Sequence, residues 1–181
     1  MNEFINDKNL YISKNALLKR GENNKFGSNI GIDDFVYCSV KLEILDYVHI
    51  SSNVSIIGGE NASLMMKHFS GISTGSRIIC ASDELKGEGL VGPIIPDQFK
   101  DNVFSKKVIF EEFTQVGANA VIMPGVTLAQ GSVVGANSLV ASDTKPWSIY
   151  VGSPAKEISK REKTKMVEYS KKMGYEIPIV D

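Results

Sequence analysis

Cysteine, histidine and tryptophan are scarce in this chain: two, two and one among 181 residues. Cys38 and Cys80 form no CxxC pair, which argues against a disulfide framework or a thiolate metal site and predicts two free thiols in a reducing cytoplasm. Net charge is nearly absent, at -1. That balance argues against nucleic acid as the main partner and gives no reason to invoke a membrane surface. No apolar run approaches the ~20 residues of a membrane span. The opening "MNEFINDKNLYISK" lacks a basic stretch followed by an apolar one, so no signal peptide is expected. Also lacking is any GxxxxGK[ST] phosphate loop. With 43% apolar and 23% charged residues, the chain is nonetheless rich enough in apolar groups to fold as one domain with a real core.

What the chain does have is a period. In "VIMPGVTLAQGSVVGANSLV" aliphatic residues return every sixth position, a spacing that belongs to neither a helix (3.6) nor a strand (2). With the first residue of each hexad as position one, the second half reads Phe104, Phe110, Val116, Ile122, Leu128, Val134, Val140. Position five of the same hexads reads Val108, Thr114, Ala120, Val126, Ser132, Ser138, all small or β-branched. The first half keeps a looser register: Ile30, Val36, Leu42, Val48, Val54, Glu60, Met66, Ile72, Ile78. Glu60, and Asp34, Asp46 and Leu64 at position five, break the rule, so a bulge is expected around "GGENASLMMK". This pattern suits a solenoid of short parallel strands, with large residues filling the axis and small ones at tight corners. Three hexads make a triangular coil of about eighteen residues, and each strand pairs with its counterpart one coil away.

Two segments leave this register. Between Ile78 and Phe104 the spacing is not a multiple of six, and "DELKGEGLVGPIIPDQFKDN" reads as a loop thrown out from the prism. Its apolar centre "LVGPIIP" predicts packing against something, a neighbouring subunit being the expected occupant. At the other end, "PAKEISKREKTKMVEYSKKMG" sets Ile158, Met166, Tyr169 and Met173 on one helical stripe, predicting a helix along or across the prism end. The expected organisation is therefore an N-terminal cap over 1–29, a β-helix over 30–156 with the loop at 83–103, and a helix and tail over 157–181.

The hexads followed by "DTKPWSIYVGSPAKEI" resemble the hexapeptide-repeat acyltransferases. The resemblance spans about Ile30 to Lys160, with Gly152-Ser153-Pro154-Ala155-Lys156 similar to the motif at which the last coil leaves the prism. It implies an all-β, left-handed parallel β-helix and a homotrimer whose subunits form clefts between adjacent prisms. Acetyl-CoA is the implied acyl donor, used without a metal. A carbonic-anhydrase-type metal centre on this fold needs three histidines, and there are only two. Position-three residues Ala118 and Ala136 match the family's pantetheine groove. Ser142 follows the last hexad toward the adenine end, while Lys156 and Lys160 match basic positions suited to coenzyme phosphates. Trp147 either covers adenine or fills a corner.

For chemistry the candidates are His49, His68 and Asp83. The histidines lie nineteen residues apart, which predicts neighbouring positions in successive coils. His49, at the second hexad position, should point outward, and His68 sits nearer a corner. Many sugar O-acetyltransferases of this family carry a histidine where the chain enters the loop, and here that position is Asp83. Three possibilities follow: Asp83 takes part, His49 supplies the base, or no strong base is needed. A sugar hydroxyl demands a general base, whereas an amine of pKa about 8 is partly neutral at pH 7. Loss of the usual histidine therefore favours an amine acceptor. "CASDELKGEGLVGPIIP" also resembles acyltransferases of surface-polysaccharide pathways that acetylate a nucleotide-linked 4-amino-4,6-dideoxy sugar. The expectation is a cytoplasmic N-acetyltransferase of a nucleotide-linked amino sugar. O-acetylation of a sugar or glycan, and a non-catalytic β-helix scaffold, are the alternatives.

Overall fold

Three columns of short strands wind around one apolar axis in the computed structural model, which describes residues 4–5, 8–83, 85–100 and 103–180. The first face is a nine-stranded sheet, the second has six strands and the third five. Within each face the coil-to-coil pairing is parallel, and only the first and last strands of the first face, Phe4–Ile5 and Lys156–Lys160, run antiparallel. The fold is the parallel β-helix with one C-terminal helix that the hexads and the tail predict. Of the expected N-terminal cap, residues 1–3 and 6–7 lie outside the described residues.

The core consists of ladders of one side chain per coil. Ile44, Met66, Phe110 and Leu128 stack on the third face, Ile56, Ile78, Ile122 and Val140 on the second, and Ile32, Ile50, Ile72, Val116 and Val134 on the first. All are buried. Two residues before each lies a companion row that is also buried. It is aliphatic in the early coils (Ile30, Val36, Leu42, Val48, Val54) and mostly small later (Ser70, Ser76, Thr114, Ala120, Ser132, Ser138). The small hydroxyls survive burial because the corner backbone satisfies them. Ser70 Oγ donates to Lys67 O at 2.7 Å, Ser76 Oγ to Gly117 O at 3.0 Å and Thr114 Oγ1 to Glu111 O at 2.9 Å.

The register read from the sequence needs correcting in two places. Ile30 through Val54 are core residues, but they occupy the companion row. The cause is the expected bulge: Ile32 and Ile50 pair across a regular coil, whereas Ile50 pairs with Ile72 across a coil four residues longer. Leu64, an apparent rule-breaker, is fully buried in the companion row between Leu42 and Val108. Phe104 is not a core position. It lies in a two-stranded antiparallel ribbon, Ala81–Asp83 with Val103–Ser105, that forms the base of the loop. There it is 45% exposed.

One corner, between the third and first faces, carries aromatic residues in the left-handed conformation: Tyr47, Phe69, Phe113 and Trp147, at φ 59, 61, 64 and 49°. Bulky residues adopt this region only where their surroundings hold them there. Here the rings stack coil upon coil, Tyr47 on Phe69 at 5.3 Å and Phe69 on Phe113 at 5.4 Å. Gly131 interrupts the column, and a Cβ there would lie 2.2 Å from Trp147 Cε3. The indole thus occupies the space of the missing side chain, packing against Phe113. Trp147 fills the corner.

The C-terminal segment seals this same edge. Lys156–Lys160 is a strand, paired antiparallel with Ser148–Val151, and the helix is confined to Thr164–Lys172. Ile158 therefore stands apart from the helical stripe and is 60% exposed. The physical reason is the open edge of the last coil, whose unpaired backbone recruits the next segment as a strand. Beyond the helix, Tyr175 donates to Asp46 Oδ2 at 2.9 Å, Gln130 Nε2 donates to Pro178 O, and Trp147 Nε1 donates to Val180 O.

Candidate active site

His49 points outward from the first face, as its hexad position predicts, between the buried Val48 and Ile50. Its neighbours in the outer row are Gly31 one coil below and Gly71 one coil above. Having no side chains, they leave the ring standing over bare backbone; a Cβ on Gly31 would come within 3.2 Å of His49 Cδ2. Nε2 lies 2.9 Å from Asp33 Oδ2, and both side chains are accessible. In the neutral ring the carboxylate fixes the proton on Nε2 and leaves Nδ1 as a free acceptor. Asp33 lies sixteen residues before His49, two beyond its coil partner Gly31, and no sequence motif marks it.

His68 occupies a different environment. Its Nδ1 accepts the Asp46 backbone N–H at 3.1 Å, and its ring packs on Tyr175 at 4.9 Å. The nineteen-residue spacing predicted neighbouring positions. The longer coil instead places Gly71 above His49 and leaves His68 at the aromatic corner, beneath the C-terminal tail.

Asp83 ends the first strand of the ribbon. Gly92 N donates to its Oδ2 at 2.7 Å and Lys100 Nζ lies 3.3 Å from Oδ1. The Gly92 hydrogen bond, with Lys100 adding to it, holds this carboxyl below the usual range. Asp83 therefore ties both limbs of the loop together as a carboxylate. That tie is present above the ordinary carboxylate pKa and is lost as pH falls through the lowered one. The loop itself is apolar and open, with Leu85, Leu90, Val91, Ile94 and Phe99 all more than half exposed.

The coenzyme candidates divide among three edges. Ala118 and Ala136 lie one coil apart at the first–second corner, joined through Asn137 N to Ala118 O. Lys156 joins them there: it pairs with Val151, whose Cγ1 covers Gly135. Lys160 is at the far end of that strand, where Nζ donates to Ser148 Oγ at 2.8 Å and pairs with Glu157 at 2.9 Å. Ser142 is exposed beyond the second face, next to Asp143, which accepts from Thr127 N on the third. Only Ala118, Ala136 and Lys156 share an edge. Cys38 and Cys80 are buried thiols pushed up to about 11 and about 12 by that burial, which makes them poor nucleophiles.

A parallel β-helix with hexad ladders, an apolar loop and a strand-and-helix exit fits the class of hexapeptide-repeat acyltransferases. No family model matches the chain. Among curated proteins it is 31% identical, over 86% of its length and 81% of the relative's, to a dTDP-4-amino-4,6-dideoxy-D-glucose acyltransferase of Escherichia coli. It is 30% identical to the putative lipopolysaccharide biosynthesis O-acetyl transferase WbbJ of Escherichia coli strain K12, over 87% of this chain and 80% of that one. Among solved structures it superposes on AntD, an N-acyltransferase from Bacillus cereus in complex with dTDP and 3-hydroxybutyryl-CoA. The TM-score is 0.87 and the identity 34%, over 97% of this chain and all of that one. The chain belongs to the hexapeptide-repeat acyltransferases, in the branch of nucleotide-linked amino-dideoxysugar acyltransferases.

Proposed function

We propose that this protein transfers an acyl group, acetyl being the expected one, from coenzyme A to the amino group of a dTDP-linked 4-amino-4,6-dideoxy sugar for surface-polysaccharide synthesis. The observation that carries this reading is the likeness to AntD along nearly the whole of both chains. A variant of AntD has been solved with dTDP-4-amino-4,6-dideoxyglucose and coenzyme A. In the reaction the amine nitrogen attacks the thioester carbonyl, the C–S bond breaks, and the proton lost by nitrogen ends on the coenzyme sulfur. His49 is the proton acceptor in this reading, with Asp33 holding its tautomer, while His68 has its Nδ1 engaged by backbone. Asp83 is an acceptor contact or the alternative base. Ala118, Ala136 and Lys156 line the coenzyme groove, with Ser142 and Lys160 reaching the coenzyme only from separate edges.

His49 and Asp83 stand on different sides of one prism, so a site using both takes them from neighbouring subunits. This agrees with a homotrimer, and the outer side of the second face supports one. Leu17 and Ile57 are 54% and 37% exposed, in a face whose outer row runs Leu17, Tyr37, Ser55, Arg77, Val121 and Leu139, apolar at both ends with Ser55 and Arg77 between. Among the described residues no helix is long and apolar enough to cross a membrane. The cytoplasm, where acyl-CoA and nucleotide sugars are available, is the proposed location.

The test is thiol release from acetyl-CoA with a panel of dTDP- and UDP-linked amino sugars and plain hexoses, alongside light scattering for subunit number. The expected outcome is turnover with the dTDP-linked 4-amino sugar by a trimer. Release with hydroxyl acceptors alone would establish O-acetylation, the second reading, which the likeness to WbbJ favours. Absence of release with every acceptor would leave only a scaffold.

A further inference from the structure

Beside the outer row that carries His49 lies a cavity of about 220 Å³, between the C-terminal helix and the aromatic corner. Its walls include Phe69, Phe113, Gln115, Arg161, Tyr169 and Met173. We infer that this cavity receives the pyrimidine base of the nucleotide-linked acceptor, with Gln115 reading the edge of the ring; this rests on the amino-sugar reading above.

Position and size both support that occupant. Gln115 is in the same outer row as His49, with Gly71 between them. Two coil steps separate the two residues by about 10 Å along the axis. A base, a ribose and a pyrophosphate span that interval, so a base held at Gln115 leaves the sugar free to reach His49. The intervening Gly71 carries no side chain, and Gln115 Oε1 lies over it, 2.7 Å from where a Cβ would stand, so the amide oxygen is on the His49 side of the row. The volume is below the ~300–1,000 Å³ of a pocket that encloses a whole drug-sized ligand, so the cavity accommodates one end of the molecule.

The lining chemistry points the same way. Aromatic and thioether side chains give a ring apolar contact. Gln115 Nε2 donates to Phe69 O at 3.1 Å, and its Oε1 receives no hydrogen bond from the described residues. An amide oxygen in that place accepts the imino N–H of a thymine or uracil ring. Arg161, half-buried, donates through Nη1 to Phe113 O at 2.6 Å and Gly131 O at 3.0 Å, and it meets no carboxylate among the described residues. Its bonds to the coil of Gln115 and to the coil beyond place it at the end of the cavity away from His49. The donor's adenine is the competing occupant of similar chemistry. It is disfavoured because Ala118, Ala136 and Lys156 gather on the opposite edge of the first face.

The experiment is calorimetric titration of dTDP and, separately, of coenzyme A into the wild-type protein and into Gln115→Ala and Met173→Trp, the second filling the cavity from an exposed position. Steady-state kinetics with the dTDP-linked 4-amino sugar accompany it, and an unchanged melting temperature controls for folding. The expected result is a tenfold or greater rise in the dTDP Kd and the amino-sugar KM for both variants, with kcat and the coenzyme A Kd changed less than threefold. Unchanged dTDP binding in variants of a protein that still acylates the amino sugar would overturn this inference alone. Weakened coenzyme binding with intact dTDP binding would assign the cavity to the donor and overturn it equally. A wild-type protein that neither binds dTDP nor acylates the amino sugar would remove the functional reading itself.

Discussion

Replacing His49 with alanine is expected to lower kcat/KM for an amine acceptor about tenfold near pH 7, and to change it little near pH 9. The neutral fraction of the acceptor at pH 7, about a tenth, sets the first figure, because that fraction reacts without the base. The pH trend follows from the acceptor. With an ammonium pKa of about 8, most of the acceptor is protonated at pH 7 and most is neutral at pH 9. A base that removes this proton is needed in the first case and nearly redundant in the second. A hydroxyl acceptor behaves differently, since it stays protonated throughout and the loss in His49→Ala would persist across the range. One pH series therefore tests both the residue and the acceptor class. Asp33→Asn adds a check on positioning. Asn can present an N–H to Nε2 and stabilise the wrong tautomer, so about a tenfold loss of kcat with KM little changed is expected, while Asp33→Glu restores part of it. Full activity of His49→Ala at every pH would end its assignment as base.

How much of this was legible beforehand depends on which interactions are local. The hexad ladders were legible because each coil repeats the same demand: a large apolar group at the axis, then a small one at the corner. The register of the first half was not, because Ile30 and Ile32, or Val48 and Ile50, are equally apolar and both rows are buried. Only the pairing of Ile50 with Ile72 distinguishes them. Ile158 illustrates the opposite difficulty. Its spacing to Met166 and Tyr169 fits a helix, yet the exposed edge of Ser148–Val151 draws it into a strand, and that edge exists only once the coils are stacked. For the site, the outward direction of His49 was legible from the hexad count, because a register error of two residues leaves it on the same face. Its partner Asp33, and the meeting of Gln115 with Arg161 at the cavity, depend on contacts between coils and with the returning tail. No window of adjacent residues contains them.

The register correction makes the second large prediction, because Phe104 and Phe110 occupy equivalent hexad positions in the sequence and opposite environments in the fold. Phe110 is fully buried in the third-face ladder between Met66 and Leu128. Phe104 is on the loop ribbon, 45% exposed, with Lys106 Nζ 4.4 Å from its ring centre. Truncating a buried phenylalanine to alanine costs about 3–5 kcal/mol in lost transfer energy and residual cavity, a large part of the ~5–15 kcal/mol that holds a typical domain together. Chemical denaturation of Phe110→Ala should therefore show a midpoint far below that of the wild type, and Phe104→Ala should shift it by less than about 1 kcal/mol, the scale of an exposed cation–π contact. The position of Phe110 adds a further consequence. Its strand is the first to rejoin the ladder after the loop, so it joins the coils before the excursion to those after it. In a solenoid, stability is carried by contacts between neighbouring repeats. Weakening this one junction should let the two halves unfold in separate steps, visible as a broadened or biphasic transition in which Trp147 fluorescence reports only the later coils. Equal destabilisation by the two alanines would mean that Phe104 is an axial residue after all, and that the sheet register across the loop is wrong.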